Sequence, residues 1–501
     1  MADFELLPDD SADQALRSRV APSDWSNPEP SGRYNLVVIG GGTAGLVTAA
    51  GASGLGARVA LVEKNLLGGD CLNVGCVPSK ALIRSAAAAA DVRAAERLGV
   101  HVRGQVAVDF TKVMTRVRSL RADLAQNDSA ARFRSLGVDV FLGEGRFTGS
   151  DTVEVAGKTL QFARAAITTG ARAARPDIPG LLAGGYVTNE TVFNLTALPR
   201  RLAVLGGGPV GCELAQAFAR LGSDVTIIGK EATLLPREDA DASAIVSAAL
   251  QRDGAKLQLG CEVVRVSSAE TGKTLFLSSG GSVEADEILV CVGRAPNTDR
   301  LDLDRAGVRY SALGVQVDDH LRTSNPRIYA AGDICSRYKF THAADAMARI
   351  VIQNALFFGR ARMSALTIPW CTYTDPEVAH VGLSQTESAA RGVAIDTFVL
   401  EMKQVDRAVL DGDDEGFLKV HVRKGTGRIV GATAVSRSAS AQISEITLAM
   451  TGGVGLGKLA NTIHPYPTQG EAVKKIGDAY NRTRLTPFIK SLFSRLLSWR
   501  R

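Results

Sequence analysis

Cys71 and Cys76 stand five positions apart in GGDCLNVGCVPSKAL, in a chain of 501 residues that holds only seven cysteines. Two thiols at this spacing admit three chemistries: a disulfide, a pair of buried structural thiols, or half of a metal site. Five residues of ideal helix rise about 7.5 Å, beyond the ~7 Å Cα separation that a disulfide tolerates. A bridge therefore requires a local break in the helix, and Gly75 supplies the backbone freedom for one. The other cysteines (Cys212, Cys261, Cys291, Cys335 and Cys371) form no second close pair and read as core residues.

The elements that must hold this pair are legible on either side. Residues 34–45, YNLVVIGGGTAG, read as an apolar strand running into Gly40-x-Gly42-x-x-Gly45. An Ala-rich helix to Gly56 and a second strand, ARVALVEK, follow. Such a turn aims backbone N–H groups at a pyrophosphate, and Glu63 at the end of the second strand can hydrogen-bond a ribose diol. The unit recurs at 201–211, RLAVLGGGPVG, with Gly206, Gly208 and Gly211, then a helix and SDVTIIGKE. Two dinucleotide sites in one chain imply a flavin and a nicotinamide cofactor. Where the first unit has Glu63, the second has Gly229 followed by Lys230. A carboxylate would repel a 2′-phosphate, whereas a small residue and then a base accommodate one. The second site is therefore expected to prefer NADPH, with NADH as the alternative.

Apolar residues make up 45% of the chain, enough for the cores of two to four domains; 51 glycines and 5% aromatics suit an α/β fold with many tight turns. No apolar run reaches the ~18 residues that span a bilayer, and the acidic N-terminus lacks the pattern of a signal peptide. A soluble cytoplasmic protein is expected, where a disulfide is more often catalytic than structural. The net charge of +6 comes entirely from residues 482–501, which hold six bases and no acid. With the remainder neutral, nucleic acid is not expected as a partner.

Two further stretches, GRAPNT at 293–298 and RIYAAGDIC at 327–335, complete a recognisable set. From about Tyr34 to Tyr480 the chain resembles the class I pyridine nucleotide-disulfide oxidoreductases, among them dihydrolipoamide dehydrogenase, glutathione reductase and mercuric reductase. The resemblance implies an α/β fold with two Rossmann-like dinucleotide-binding domains, for FAD and NAD(P), plus a C-terminal α+β dimerisation domain. It implies that electrons pass from NADPH through FAD to a redox-active Cys71–Cys76 disulfide. Cys76 would be the sulfur nearer the flavin and Cys71 the outward thiol that attacks substrate. Such exchange needs a thiol pKa lowered by a positive group or a helix N-terminus. Lys80 resembles the family lysine near the flavin, and Glu213 its partner carboxylate. Asp333 maps to the aspartate on the ribityl chain. Gly145 in GEGRF, Thr169 and Gly170 in AAITTGARA, and Gly293 and Arg294 complete the cofactor set, while His342 is placed to approach it. No metal site is expected, because zinc would need more ligands at suitable spacing.

Near the C-terminus the family carries His-Pro-Thr and then a glutamate, the histidine exchanging protons with the outward thiol. Here HPYPTQGE (464–471) aligns Pro467, Thr468 and Glu471 and puts Tyr466 at the histidine position, with His464 two residues earlier. A tyrosine of pKa ~10 is a poor base at neutral pH, which disfavours lipoamide and glutathione. A tyrosine here resembles mercuric reductase, which binds a soft metal between thiolates. Yet that enzyme's adjacent C-terminal cysteines have no counterpart after Cys371, and no metal-binding domain precedes Tyr34, which disfavours efficient Hg(II) turnover. The expectation is a mercuric-reductase-like enzyme with a small-molecule or metal-ion acceptor. The alternatives are dihydrolipoamide dehydrogenase and a membrane-associated NAD(P)H:quinone or metal-ion reductase.

Six segments follow from this reading. Residues 1–33 form an acidic leader, with seven acids, three arginines and four prolines, expected to be an extended or partly disordered arm. Residues 34–194 and 293–365 are the two parts of the FAD domain, and 195–292 the NAD(P)H domain between them. Residues 366–484 are the dimerisation domain. A homodimer is expected, since in the family the C-terminal motif completes the partner's disulfide site. Residues 485–501 are a basic amphipathic tail. Pro487 suits a helix start, and apolar residues at 488, 489, 492, 493, 496 and 497 oppose Lys490, Ser491, Ser494, Arg495 and Ser498. Residues 486–501 thus suit a peripheral contact with the inner face of a membrane, or a helix packed on its own dimer.

Overall fold

The computed structural model describes residues 5–104 and 106–501. They fall into two compact units, Met1–Lys230 with Gly254–Leu366, and Glu231–Asp253 with Thr367–Arg501.

The first unit is built on a seven-stranded sheet. Strand Tyr34–Ile39 lies between Val59–Glu63 and Lys158–Ile167, parallel to both, with Val138–Leu142 beyond Val59–Glu63. The first half of Lys158–Ile167 pairs antiparallel with Thr152–Val155, and its second half parallel with Ile328–Ala330. Residues Leu36, Val37 and Val38 are fully buried, as a parallel strand covered on both faces requires. Helices Thr43–Gly54 and Thr341–Leu356 pack on one face. A second parallel sheet runs Lys256–Leu259, Asp224–Gly229, Arg201–Leu205, Glu287–Val290, so the strand–turn–helix unit is indeed built twice. Strand Arg294–Pro296 pairs with Ala171–Ala173 and ties the GRAPNT segment to the end of the first sheet.

The leader is not extended throughout, as was expected of it: residues 21–33 hold no helix or strand, but the preceding ten residues do. Ser11–Val20 is a helix whose N-cap, Asp10, accepts from the backbone N–H groups of Ala12 and Asp13. Leu16 and Val20 are fully buried in the core of the first unit. Two of the acids that suggested a solvated arm are paired with helix Phe110–Leu124: Arg118 Nε donates to Asp10 Oδ2 at 2.6 Å and Arg121 Nη2 to Asp13 Oδ1 at 2.6 Å. Residues 1–4 of the leader lie outside the described residues.

The second unit is a five-stranded antiparallel sheet in the order Pro369–Thr372, Glu377–Gly382, Ile429–Ser436, Phe417–Arg423, Ile395–Glu401. Helices Ala439–Thr451 and Glu471–Thr483 share its core. Residues 231–253 join this unit through polar contacts. Trp370 Nε1 donates to Glu238 (2.6 Å), and Lys419 Nζ reaches Asp239 (3.0 Å) and Asp241 (2.6 Å). Among the described residues no helix is long and apolar enough to cross a membrane.

Candidate active site

Both glycine turns answer to the same two constraints. Gly40 and Gly206 have φ of +109° and +113°, and a Cβ on either would lie 2.5 Å from a backbone oxygen, of Thr168 and Cys291 respectively. Gly45 and Gly211, inside the helices, face the carbonyls of Gly40 and Gly206, where a Cβ would sit at 1.8 and 2.0 Å. Strand and helix are closer than any side chain permits. Gly42 and Gly208 are the N-caps of these helices and offer no side-chain cap, so first-turn N–H groups remain for an anion.

The strand ends differ. Glu63 accepts from the N–H groups of Gly41 (2.6 Å) and Asn65 (2.7 Å). Burial raises its carboxyl pKa, and these bonds act against the rise. At the second turn, the Lys230 ammonium is exposed and pairs with Glu262 at 3.2 Å.

Between the two cysteines the helix breaks, as a close pair demands. Helix Gly69–Asn73 ends at Val74, and Cys76 opens helix Cys76–Ala94. Gly75 sits where a Cβ would lie 2.8 Å from the Asp70 carbonyl. Both thiols are free, and they hydrogen-bond each other. That bond, the Thr341 hydroxyl 3.4 Å from Cys76 Sγ, and the Lys80 charge bring the Cys76 thiol down to about 6, against the effect of burial. The same bond, burial and the Cys76 charge push the Cys71 thiol up. The two shifts run in opposite directions and favour the thiolate form at Cys76 over Cys71.

The leader helix reaches this loop. Arg121, held by Asp13, donates through Nη1 to the carbonyl of Asn73 (3.0 Å), between the cysteines. Asn73 Nδ2 in turn donates to the carbonyls of Leu67 (3.1 Å) and Gly69 (2.8 Å), and Leu67 N–H donates to the Val20 carbonyl (3.2 Å). Asp13 and Arg121 are buried, with side chains 0% and 1% exposed.

Lys80, one helical turn after Cys76, donates to Glu213 Oε2 at 2.7 Å, and Glu213 is buried in the helix that follows the second glycine turn. Arg294 pairs with Asp70 and lies 3.4 Å from Asp333 Oδ2. Burial raises the Asp333 pKa, while Arg294 and Lys339 lower it. Thr169 and Gly170 are clamped to the GRAPNT segment. Thr169 Oγ1 donates to the Asn297 carbonyl (2.9 Å), Asn297 Nδ2 to the Thr169 carbonyl (2.9 Å), and Asn297 N–H to Gly170 (3.0 Å). Gly293, just before Arg294, has φ +129°. Gly145 allows its strand to approach Val62, to which a Cβ would come within 2.8 Å. His342 is exposed and stacks on Phe340, centroids 5.5 Å apart. Thr341, its neighbour, is the residue that reaches Cys76. Sequence reasoning missed Thr341, Asn297, Asp13 and Arg121; for Thr341 the only signal is its place at the start of the helix after Asp333.

Residues 34–348 match the family described as pyridine nucleotide-disulphide oxidoreductase, and residues 368–476 match its dimerisation domain. The chain belongs to the pyridine nucleotide-disulphide oxidoreductases. It is 36% identical to a mercuric reductase of Streptomyces lividans over 454 residues, covering 88% of this chain and 95% of that one. It is 33% identical to a dihydrolipoyl dehydrogenase of Chlamydia muridarum over 449 residues, covering 87% and 95%. Among solved structures, the Cu(II) complex of the HOCl-induced flavoprotein disulfide reductase RclA from Escherichia coli aligns with a TM-score of 0.80 at 27% identity, covering 88% of this chain and 98% of that one. Family members are FAD-dependent and use pyridine nucleotides. The two uncapped helix starts, each behind a cradle that a Cβ would fill, fit two such dinucleotides.

The C-terminal motif of this oxidoreductase lies in its second unit. Tyr466 is exposed and donates to Asp406 Oδ2 at 2.9 Å, a bond that raises the phenol pKa. His464 sits two residues away in its own pocket of partners, with Nε2 at 2.8 Å from Glu445 and Nδ1 at 3.1 Å from the Thr462 carbonyl. Glu471 opens helix Glu471–Thr483 and lies 3.6 Å from Lys475.

Proposed function

We propose that this flavoprotein draws electrons from NADPH and delivers them at the Cys71–Cys76 pair to a soft, thiophilic metal ion, for which Hg(II) serves as the probe. The observation that carries this reading is the pair of free thiols, with the Thr341 hydroxyl 3.4 Å from Cys76 Sγ, combined with a tyrosine at the motif's base position; the lowered Cys76 and raised Cys71 pKa support it. Gly40, Gly42, Gly45, Glu63, Gly145, Thr169, Gly170, Arg294 and Asp333 would hold FAD, with Lys80 and Glu213 near its reactive ring. Gly206, Gly208, Gly211, Gly229 and Lys230 would hold NADPH. Bound FAD supplies hydride acceptance from the nicotinamide and two-electron transfer to the sulfurs.

The chain's own groups then decide what can be reduced. A soft cation binds the Cys76 thiolate directly and displaces the Cys71 proton, which a metal–sulfur bond makes acidic. The balance is NADPH + M²⁺ → NADP⁺ + H⁺ + M⁰. A disulfide acceptor would instead require a base to take the Cys71 proton before attack, because that thiol is pushed up. Tyr466, whose phenol donates to Asp406 and is held protonated by that bond, cannot supply one at neutral pH. The mercuric reductase relatives and the Cu(II) complex of a structural neighbour support the same acceptor class. The dimerisation domain supports a homodimer in which the Tyr466–Glu471 segment serves the partner's disulfide. A cytoplasmic setting, where thiols are kept reduced, suits this chemistry.

The test is anaerobic two-electron reduction of the holoenzyme followed by turnover. A long-wavelength flavin absorbance from the Cys76 thiolate is expected, lost in Cys76→Ser and kept in Cys71→Ser. Because the Cys76 pKa is lowered from 9.0 to about 6, the band should persist above that pH and fade as pH drops through it. NADPH oxidation with thiol-complexed Hg(II) should exceed that with lipoamide or oxidised glutathione by roughly tenfold or more, ~1.4 kcal/mol. Faster turnover of lipoamide would assign the enzyme to the dihydrolipoamide dehydrogenases instead.

A further inference from the structure

Thr486 caps helix Pro487–Trp499 by accepting from Ile489 N–H, and no residue of that helix is buried. Phe488 is 76% and Trp499 83% exposed. At ~100° per residue, Phe488, Ile489, Leu492, Phe493, Leu496 and Leu497 fill one continuous half of the helix surface. Ser491, Ser494 and Ser498 centre the other half. Lys490 and Arg495 stand at its two borders, one on each side of the apolar half. This division has a specific consequence: long basic side chains at both borders can rise to a plane of phosphates while the apolar half sinks below it. Trp499, followed by Arg500 and Arg501, brings an amphipathic ring to the same plane.

We propose that residues 486–501 dock the enzyme on an anionic lipid bilayer, with the helix lying in the interfacial plane. Charge selects the bilayer over a second copy of this chain. Residues 482–501 hold six bases and no acid, so two tails pressed together would set like charges against one another. An anionic surface complements them and concentrates the protein. The match to the family's dimerisation domain ends at residue 476, before this helix begins.

The experiment is co-sedimentation of the full-length holoenzyme with phosphatidylglycerol/phosphatidylcholine vesicles and with phosphatidylcholine alone. Binding to the anionic vesicles should be at least tenfold stronger and should weaken as salt shortens the screening length. Deletion of 486–501, or Lys490→Glu with Arg495→Glu, should lower binding at least tenfold. Phe493→Ser with Leu496→Ser should do the same with the charge unchanged. NADPH oxidation in solution and the dimer mass by light scattering should stay at wild-type values in every variant. Equal binding to both vesicle types, unchanged binding after the deletion, or a truncated enzyme that dissociates to monomers would each overturn the proposal, the last by assigning the helix to a subunit interface.

Discussion

The two glycine turns share a backbone and differ in everything built around it. Around the first, Gly69 packs so close that a Cβ there would lie 2.6 Å from Gly42 Cα, and Gly68 N–H donates to the Gly41 carbonyl (2.8 Å). The redox loop is thus folded directly onto the turn, and the leader helix locks it from behind through Asp13, Arg121 and Asn73. Around the second turn a Cβ on Gly208 would meet nothing within 4 Å, and the strand ends in an exposed lysine. A cofactor that stays needs a closed, braced site, and one that must leave each cycle needs an open one. On the proposed assignment of FAD to the first turn and NADPH to the second, the same local motif would serve both, because its glycines fix only the turn and the surroundings would decide residence.

The largest effect that would break this comparison comes from filling the cradles one at a time. Gly45→Ala places a Cβ against the Gly40 carbonyl and should yield protein without bound flavin absorbance, with turnover reduced ~100-fold or more. Gly211→Ala makes the same clash at Gly206 but should keep its flavin and lose reduction by NADPH in stopped-flow traces. If both variants lose flavin equally, the two sites are not functionally distinct.

Next in size is the brace. Asp13→Ala leaves the Arg121 guanidinium buried without its carboxylate, and should cost about 3–5 kcal/mol in denaturant titration. It should also raise the pH at which the Cys76 thiolate band fades, because Arg121 no longer fixes the loop at Asn73. The clamp at the start of the strand that leads to the second turn, Arg201 with Asp286 at 2.6 Å, is partly exposed, and Asp286→Ala should cost about 1 kcal/mol or less. Equal losses would mean that the first site is not specially braced.

The smallest expected effect sharpens the strand ends. Wild-type kcat/KM should favour NADPH over NADH by roughly tenfold, ~1.4 kcal/mol. Gly229→Glu with Lys230→Ala should reverse that preference. Glu262→Gln, which frees Lys230 from its ion pair, should strengthen it. Equal use of both coenzymes by the wild type would remove Lys230 from the site.

What was legible in the sequence is what local geometry imposes. A positive φ, or a turn carbonyl lying within 2 Å of where a Cβ would be, leaves glycine as the one residue that fits, so Gly40, Gly45, Gly206 and Gly211 announce their turns from the motif alone. The break that Cys71 and Cys76 require is equally local, and Gly75 marks it. The tail helix shows itself through its period alone. The rest was decided by partners distant in the chain. Thr341 is 265 residues from Cys76, and Arg121 is 108 from Asp13. Neither contact leaves a periodic or spacing signal. The leader helix is hidden from the sequence for that reason: its acids, counted by themselves, describe a chain too charged to fold, and only the arginines of a helix a hundred residues away pair with Asp10 and bury Asp13. The same holds for the opposite shifts of the two thiols, since composition cannot say which of them faces Lys80. Backbone constraints are written residue by residue, whereas electrostatic ones exist only once the fold has brought the charges together.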